Sequence, residues 1–105
     1  MSDKDNADVI FKNFEWSRAK AETNLKLHRV SFEEAATVFE DPFFVIFNDP
    51  EHSFEERRFI IIGMSDKFRH LFVSFTERGE RSRIISSRKL TVKERKDYEI
   101  KKQKF

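Results

Sequence analysis

The sequence predicts an α+β domain: an antiparallel β-sheet with two helices ahead of most of its strands and a third helix behind them. Three observations predict it. Residues 71–88 read as a long β-hairpin with its turn at Gly79. Two capping boxes, Ser31-Phe32-Glu33-Glu34 and Thr91-Val92-Lys93-Glu94, mark helix starts on either side of the strands. Between them, Phe43-Phe44-Val45-Ile46-Phe47 and Arg58-Phe59-Ile60-Ile61-Ile62-Gly63 are apolar runs of strand length. Helices segregated from a strand meander place the helices on one face of the sheet and leave the other face to the hairpin.

Each element has a local reason. Residues 1–8 are polar and acidic and are expected to form a mobile tail ahead of one domain over 9–105. Val9-Ile10-Phe11, with Phe14 and Trp16, suggests a short first strand. Ser17 can cap a helix running to about His28, favoured by Ala19, Ala21 and Leu25. After Ser31, the residues Phe32, Ala35, Ala36 and Phe39 keep helical spacing, and Asp41-Pro42 ends the helix. The run 43–47 is expected to be covered on both faces, and Asn48 to Ser53 to form a turn. Ser65-Asp66-Lys67 turns the chain into the hairpin, and the last helix runs to about Ile100 before the basic tail Lys101-Lys102-Gln103-Lys104.

The hairpin is unusual in its second arm. On an ideal strand, Arg81 and Arg83 share a face with Ile85 and Ser87, while Ser82, Ile84, Ser86 and Arg88 face the other way. Strands usually give alternate positions to the core, and this one gives several to arginine and serine. Such a face suits an anion, because the guanidinium fork donates two parallel hydrogen bonds to a phosphate and keeps its charge. Arg83 and Arg88 have odd spacing, so they share a face only if a bulge or the strand end re-aims one of them.

Composition narrows the chemistry. The 105 residues fit one domain, and 13 phenylalanines supply core area to a chain that is 38% charged. Net charge is only +2, yet the middle of the chain is acidic and positions 78–104 are cationic. That asymmetry permits an anionic ligand on one side and a basic partner on another. The absence of cysteine excludes disulfides, thiol catalysis and zinc–thiolate sites. Only His28, His52 and His70 are available as imidazole ligands, none in a helix-spaced pair, and no metal or other cofactor is expected. With two glycines there is no Gly-rich phosphate loop, and no Gly-x-Ser-x-Gly elbow exists. No apolar run approaches a membrane span and the start of the chain lacks a signal-peptide core, so a cytoplasmic protein without a membrane partner is expected.

What remains is a set of Arg, Lys, His, Glu and Tyr side chains. Cleavage of RNA without a metal needs little more: a group to take the 2′-hydroxyl proton, a group to protonate the leaving oxygen, and cations around the phosphorane. His28, Glu56 (or its neighbour Glu55) and Tyr98 are the candidates for proton transfer. Arg58, Arg83 and Arg88 are candidates for the scissile phosphate, and Lys26, Arg78 and Arg81 for flanking RNA.

The order of short motifs resembles the BrnT toxins, a branch of the RelE-like toxins of bacterial type II toxin–antitoxin systems. The landmarks run from Phe14-Glu15-Trp16, Ala19-Lys20-Ala21 and Asn24-Leu25 through His28 and Val30-Ser31-Phe32-Glu33-Glu34-Ala35. They continue with Phe39-x-Asp41-Pro42, Arg58-Phe59-Ile60-x-Ile62-Gly63, Thr76-Glu77-Arg78-Gly79, Arg83-Ile84-Ile85-Ser86-x-Arg88, Glu94-Arg95 and Tyr98. The resemblance covers about residues 11–100. It implies a RelE-like fold and a metal-independent endoribonuclease that halts translation. It also implies neutralisation by a BrnA-like antitoxin with a ribbon-helix-helix domain, through which alone the complex contacts operator DNA. The family pattern before the second helix resembles Lys-His-Gly, whereas here it is Leu27-His28-Arg29, with Lys26 one residue early. That departure motivates a second reading, an attenuated toxin that binds its antitoxin and acts as co-repressor.

Overall fold

The computed structural model describes residues 7–103. Of the expected tail, residues 1–6 lie outside the described residues, and Asp8 already begins the first strand. The side chains of the basic tail, Lys101 to Lys104, lie outside them as well.

Strands β1 (Asp8–Phe11) and β2 (Phe14–Ser17) lead into helix α1 (Arg18–His28), then α2 (Phe32–Thr37), which tightens into a 3-10 turn over Val38–Glu40. Strand β3 (Val45–Asn48), a 3-10 turn at Pro50–His52, and strands β4 (Arg58–Met64), β5 (His70–Arg78) and β6 (Arg81–Lys89) follow, with α3 (Val92–Gln103) last. The class is α+β, as the sequence predicts. The sheet is mixed rather than antiparallel: its six strands take the order β1-β2-β6-β5-β4-β3, and β2 runs parallel to β6.

The single first strand expected from Val9 to Trp16 is a hairpin. A straight strand puts Val9 and Phe11 on one face and Phe14 and Trp16 on the other. Reversal at Lys12, whose φ is 56°, resets the alternation, and all four side chains then join one core. Ser17 caps α1 by accepting from the Lys20 amide at 3.2 Å. The helix ends at Arg29 in the left-handed region, φ 59°, where a glycine meets no steric cost.

Two apolar layers hold the sheet. On the first face, Trp16, Ile61, Leu71, Val73, Phe75 and Ile84 pack against Val30, Val38 and the α2 side chains Phe32, Ala35 and Ala36. On the second face, Ile60, Ile62 and Phe72 meet Tyr98 of α3. The expectation of all helices on one face is therefore corrected: α3 covers part of the face that carries the arginines. The run 43–47 is corrected too. Strand β3 is the sheet edge, and Phe44, Ile46 and Phe47 are exposed rather than covered on both sides.

The two capping boxes differ. At α3 both arms form, Glu94 amide to Thr91 hydroxyl at 3.2 Å and Thr91 amide to Glu94 carboxylate at 2.8 Å. At α2 only the Ser31 arm forms, at 3.0 Å. The buried Glu34 carboxylate instead accepts from Arg69 and, at 2.7 Å, from the Ser65 hydroxyl. Burial opposes its ionisation, but these donors outweigh burial and hold its carboxyl below the usual range.

Candidate functional site

The second face of the sheet gathers the arginines, and a bulge in β6 is the reason. Register runs Ser74 opposite Ser86 and then Phe75 opposite Ile84, so Ile85 is the extra residue. The alternation inverts there. Arg88 lies opposite Phe72, and Arg83 lies opposite Thr76, both on the second face. Arg81 joins them opposite Arg78. The ideal-strand assignment of Arg83 to the same face as Ser87 is thus overturned by one inserted residue.

Two groups of side chains result. Arg58, Thr76, Arg83 and Glu15 form one row across β4, β5, β6 and β2. Two strand spacings separate Arg58 from Arg83, roughly 10 Å between their Cα atoms, a gap two arginine side chains can close on a shared anion. The Arg83 guanidinium donates to Glu15 at 2.7 Å and to both oxygens of Asp8 at 3.0 Å. These hydrogen bonds hold the Asp8 carboxyl below its ordinary range. Arg58 Nε is buried and finds no hydrogen-bond partner among the described residues.

The second group lies four residues along the strands, roughly 13 Å away. Arg88 stacks on the Phe72 ring at 4.0 Å and grips Glu94 through two bonds of 2.8 and 3.0 Å. That grip is the main cause that pushes the Glu94 carboxyl down to about 2. Tyr98 is 2% exposed, and its hydroxyl donates to Asp41 Oδ2 at 2.6 Å. The same oxygen accepts from the Met64 amide at 2.7 Å, beyond the point where β3 stops pairing with β4. Gly63 leaves the room: a Cβ there would stand 2.9 Å from Asp41 Oδ2. Burial first, and then the bond to Asp41, raises the Tyr98 phenol above its ordinary range. Tyr98 so placed fastens α3 to the sheet edge.

Beside Arg58 opens a cleft of about 540 Å³ lined by His52, Phe54, Glu55, Glu56, Arg58 and Arg78. Both glutamates of the sequence-level alternative line it, and Glu56 is the one bonded to Arg78, at 3.2 Å. His28 and Lys26 are elsewhere. They occupy the exposed last turn of α1, in the helical layer that packs on the first face. His52, which the sequence marks only as part of a turn, is in the cleft. A weak signal existed: Asp49 and His52 stand three residues apart on either side of Pro50-Glu51, a spacing that brings two side chains together in one 3-10 turn.

No group of three or more His, Cys, Asp or Glu side chains suited to a metal ion occurs among the described residues.

This arrangement, cations on an open sheet face beside a polar cleft, coincides with a family match. A model of the family described as "Ribonuclease toxin, BrnT, of type II toxin-antitoxin system" matches residues 16–94. The chain belongs to the BrnT family. It is a ribonuclease toxin by family, and membership of a type II system implies an antitoxin partner. The BrnT match spans His52, Arg58, Arg83, Arg88 and Glu94, and it stops short of Glu15, Asp8 and Tyr98. No curated protein matches the chain. Among the described residues no helix is long and apolar enough to cross a membrane.

Proposed function

We propose that the second face of the sheet binds RNA and cleaves it without a metal ion, through attack of the 2′-hydroxyl on the adjacent phosphorus. The observation that carries this reading is the bulge at Ile85, which turns Arg83 and Arg88 to the face that already holds Arg58. Arg58 and Arg83 flank the scissile phosphate from one row of the sheet. Arg88 supports the strand of RNA on the α3 side, and Arg78 and Arg81 contact flanking phosphates, whereas Lys26 lies in the helical layer on the first face and makes no contact there. The sequence reading gives proton transfer to His28, Glu56 (or Glu55) and Tyr98. Glu56 is the better placed, because it shares a cleft with Arg58. Tyr98 acts through position, unless α3 lifts and releases its hydroxyl from Asp41. Cleavage halts translation. The partner is a BrnA-like antitoxin whose ribbon-helix-helix domain supplies the contacts to operator DNA.

A second reading has a specific observation behind it. Leu27, where the resemblance leads one to expect a lysine, is 71% exposed and makes no use of its side chain in the core. Arg83 and Arg88 are both occupied by carboxylates. An attenuated toxin that binds antitoxin and co-represses its operon fits these facts.

One experiment separates them. The purified chain and an Arg58→Ala, Arg83→Ala variant are incubated with a labelled RNA in excess chelator. Cleavage to a 2′,3′-cyclic phosphate and a 5′-hydroxyl by the wild type alone, with both proteins folded, supports the nuclease. Intact RNA with folded wild type, together with antitoxin binding, favours the co-repressor.

A further inference from the structure

The loop between β3 and β4 is closed like a buckle. The Asp49 amide donates to the Arg58 carbonyl at 2.9 Å. The Ser53 hydroxyl donates to the Asp49 carbonyl at 2.6 Å and accepts from the Arg58 amide at 3.0 Å. These bonds fix the 3-10 turn at Pro50–His52 relative to Arg58, the first residue of β4. Two side chains of this loop have no structural task that explains them. His52 is 61% exposed, and its Nδ1 lies 2.9 Å from Asp49 Oδ2. Phe54, next to the buckle, is 98% exposed, an isolated ring standing in water at the mouth of the cleft.

The pairing with Asp49 has a chemical consequence. An ionised carboxylate only accepts, so in the neutral ring Nδ1 carries the proton and Nε2 keeps the lone pair. The ring is therefore held in the tautomer and orientation that a general base requires, with a carboxylate placed to stabilise the imidazolium that forms. Imidazole suits this work because its neutral form accepts a proton and its charged form gives it back. The exposed phenylalanine has a matching use. Single-stranded RNA is held by stacking unpaired bases on aromatic rings beside cations that take the phosphates. Here Arg58 and Arg78 line the same cleft.

We infer that His52, oriented by Asp49, is the general base of the nuclease and that Phe54 stacks a base next to the scissile phosphate. The inference rests on the proposed nuclease reading and replaces the role given to His28 there. His52 Nε2 takes the proton of the 2′-hydroxyl as its oxygen attacks phosphorus. The bond from phosphorus to the 5′-oxygen breaks, that oxygen takes a proton from solvent water, and the imidazolium returns its proton to solvent. The products are a 2′,3′-cyclic phosphate and a 5′-hydroxyl. No oxidant, reductant or further reactant is needed.

The test is steady-state cleavage of a fluorescent RNA by the wild type and the His52→Gln, Asp49→Asn and Phe54→Ala variants, across pH. His52→Gln is expected to lower kcat by about a hundredfold or more with KM little changed, and to remove one limb of the pH profile. Asp49→Asn lowers kcat less and displaces that limb, which a merely structural role for Asp49 does not do. Phe54→Ala raises KM about tenfold or more, the size of one lost base stack, and an uncleavable 2′-O-methyl RNA binds it correspondingly more weakly. Wild-type kcat and pH profile in folded His52→Gln, with cleavage still lost in the Arg58→Ala, Arg83→Ala variant, overturns the inference and leaves the nuclease standing. Unchanged KM and RNA affinity in Phe54→Ala overturns the stacking role. A folded wild type that cleaves no RNA overturns both the inference and the reading beneath it.

Discussion

Arg83 and Asp8 meet fork to fork, Nη1 to Oδ2 and Nη2 to Oδ1, both at 3.0 Å, across 75 residues of sequence. Glu15 holds the same guanidinium from β2 at 2.7 Å. Two carboxylates on one arginine leave that spot net negative, so a phosphate approaching Arg83 must displace one of them. Glu15 is the more enclosed, and its strand is paired directly to β6 at that position. Asp8 is half-exposed on the outermost strand.

Asp8→Asn is therefore expected to tighten binding of an uncleavable 2′-O-methyl RNA about fivefold, near the ~1 kcal/mol of a half-exposed ion pair. Fluorescence anisotropy reads the change. The gain disappears when Arg83→Ala is also present, and the same charge change at Glu80→Gln in the exposed turn gives a smaller one.

Asn24 is the principal clasp between α1 and the sheet. Its amide donates to the Ser87 carbonyl at 2.9 Å and to the Val30 carbonyl at 3.0 Å, and it accepts from the Ser87 amide at 3.0 Å. Asn24→Ala leaves these buried backbone groups unpaired, at a cost of about 2–4 kcal/mol. Urea unfolding with an unchanged slope checks it. Asn24→Asp is expected to be worse, because a carboxylate oxygen then faces two carbonyls.

Arg29 sits at φ 59° after α1, and its backbone carbonyl alone accepts from Arg69 at 2.9 Å. Arg29→Gly keeps that bond and removes the left-handed strain, so stability should rise by about 1 kcal/mol. A higher melting temperature with unchanged circular dichroism is the expected result.

The Arg88–Glu94 pair sets an acid limit for α3. The Glu94 carboxyl is held down to about 2 against an ordinary 4.5. A depressed folded-state value means the contribution is complete above pH 4.5 and is lost as pH falls toward 2. Both side chains are partly exposed, so the loss is about 1 kcal/mol after solvent screening. Glu94→Gln should lower stability at neutral pH by that amount and flatten this part of the pH curve, read by thermal melts from pH 2 to pH 7.

The α+β class, the three helix starts, the Gly79 turn at φ 61° and the long hairpin were legible in the sequence, because each depends on neighbours within a few residues. Caps and turns are short-range chemistry, and strand alternation is a local period. The family was legible for a related reason: the order of its short motifs survives in the chain itself, and the match over residues 16–94 agrees.

Other features depended on partners far along the chain. The reversal at Lys12 pays only when Val9, Phe11, Phe14 and Trp16 find the same core, and the parallel pairing of β2 with β6 needs residue 14 beside residue 82. Glu34 abandons its capping role for Arg69, 35 residues on. The bulge at Ile85 is a mismatch between two strands and has no signature in either one alone. The sequence by itself determined which residues carry charge and which segments are helix or strand. Tertiary structure alone decided which charges meet: Arg58, Arg83 and Arg88 on one face, His52 in the cleft beside them, His28 in the other layer. Side-chain identity is local, whereas convergence is a property of register and packing.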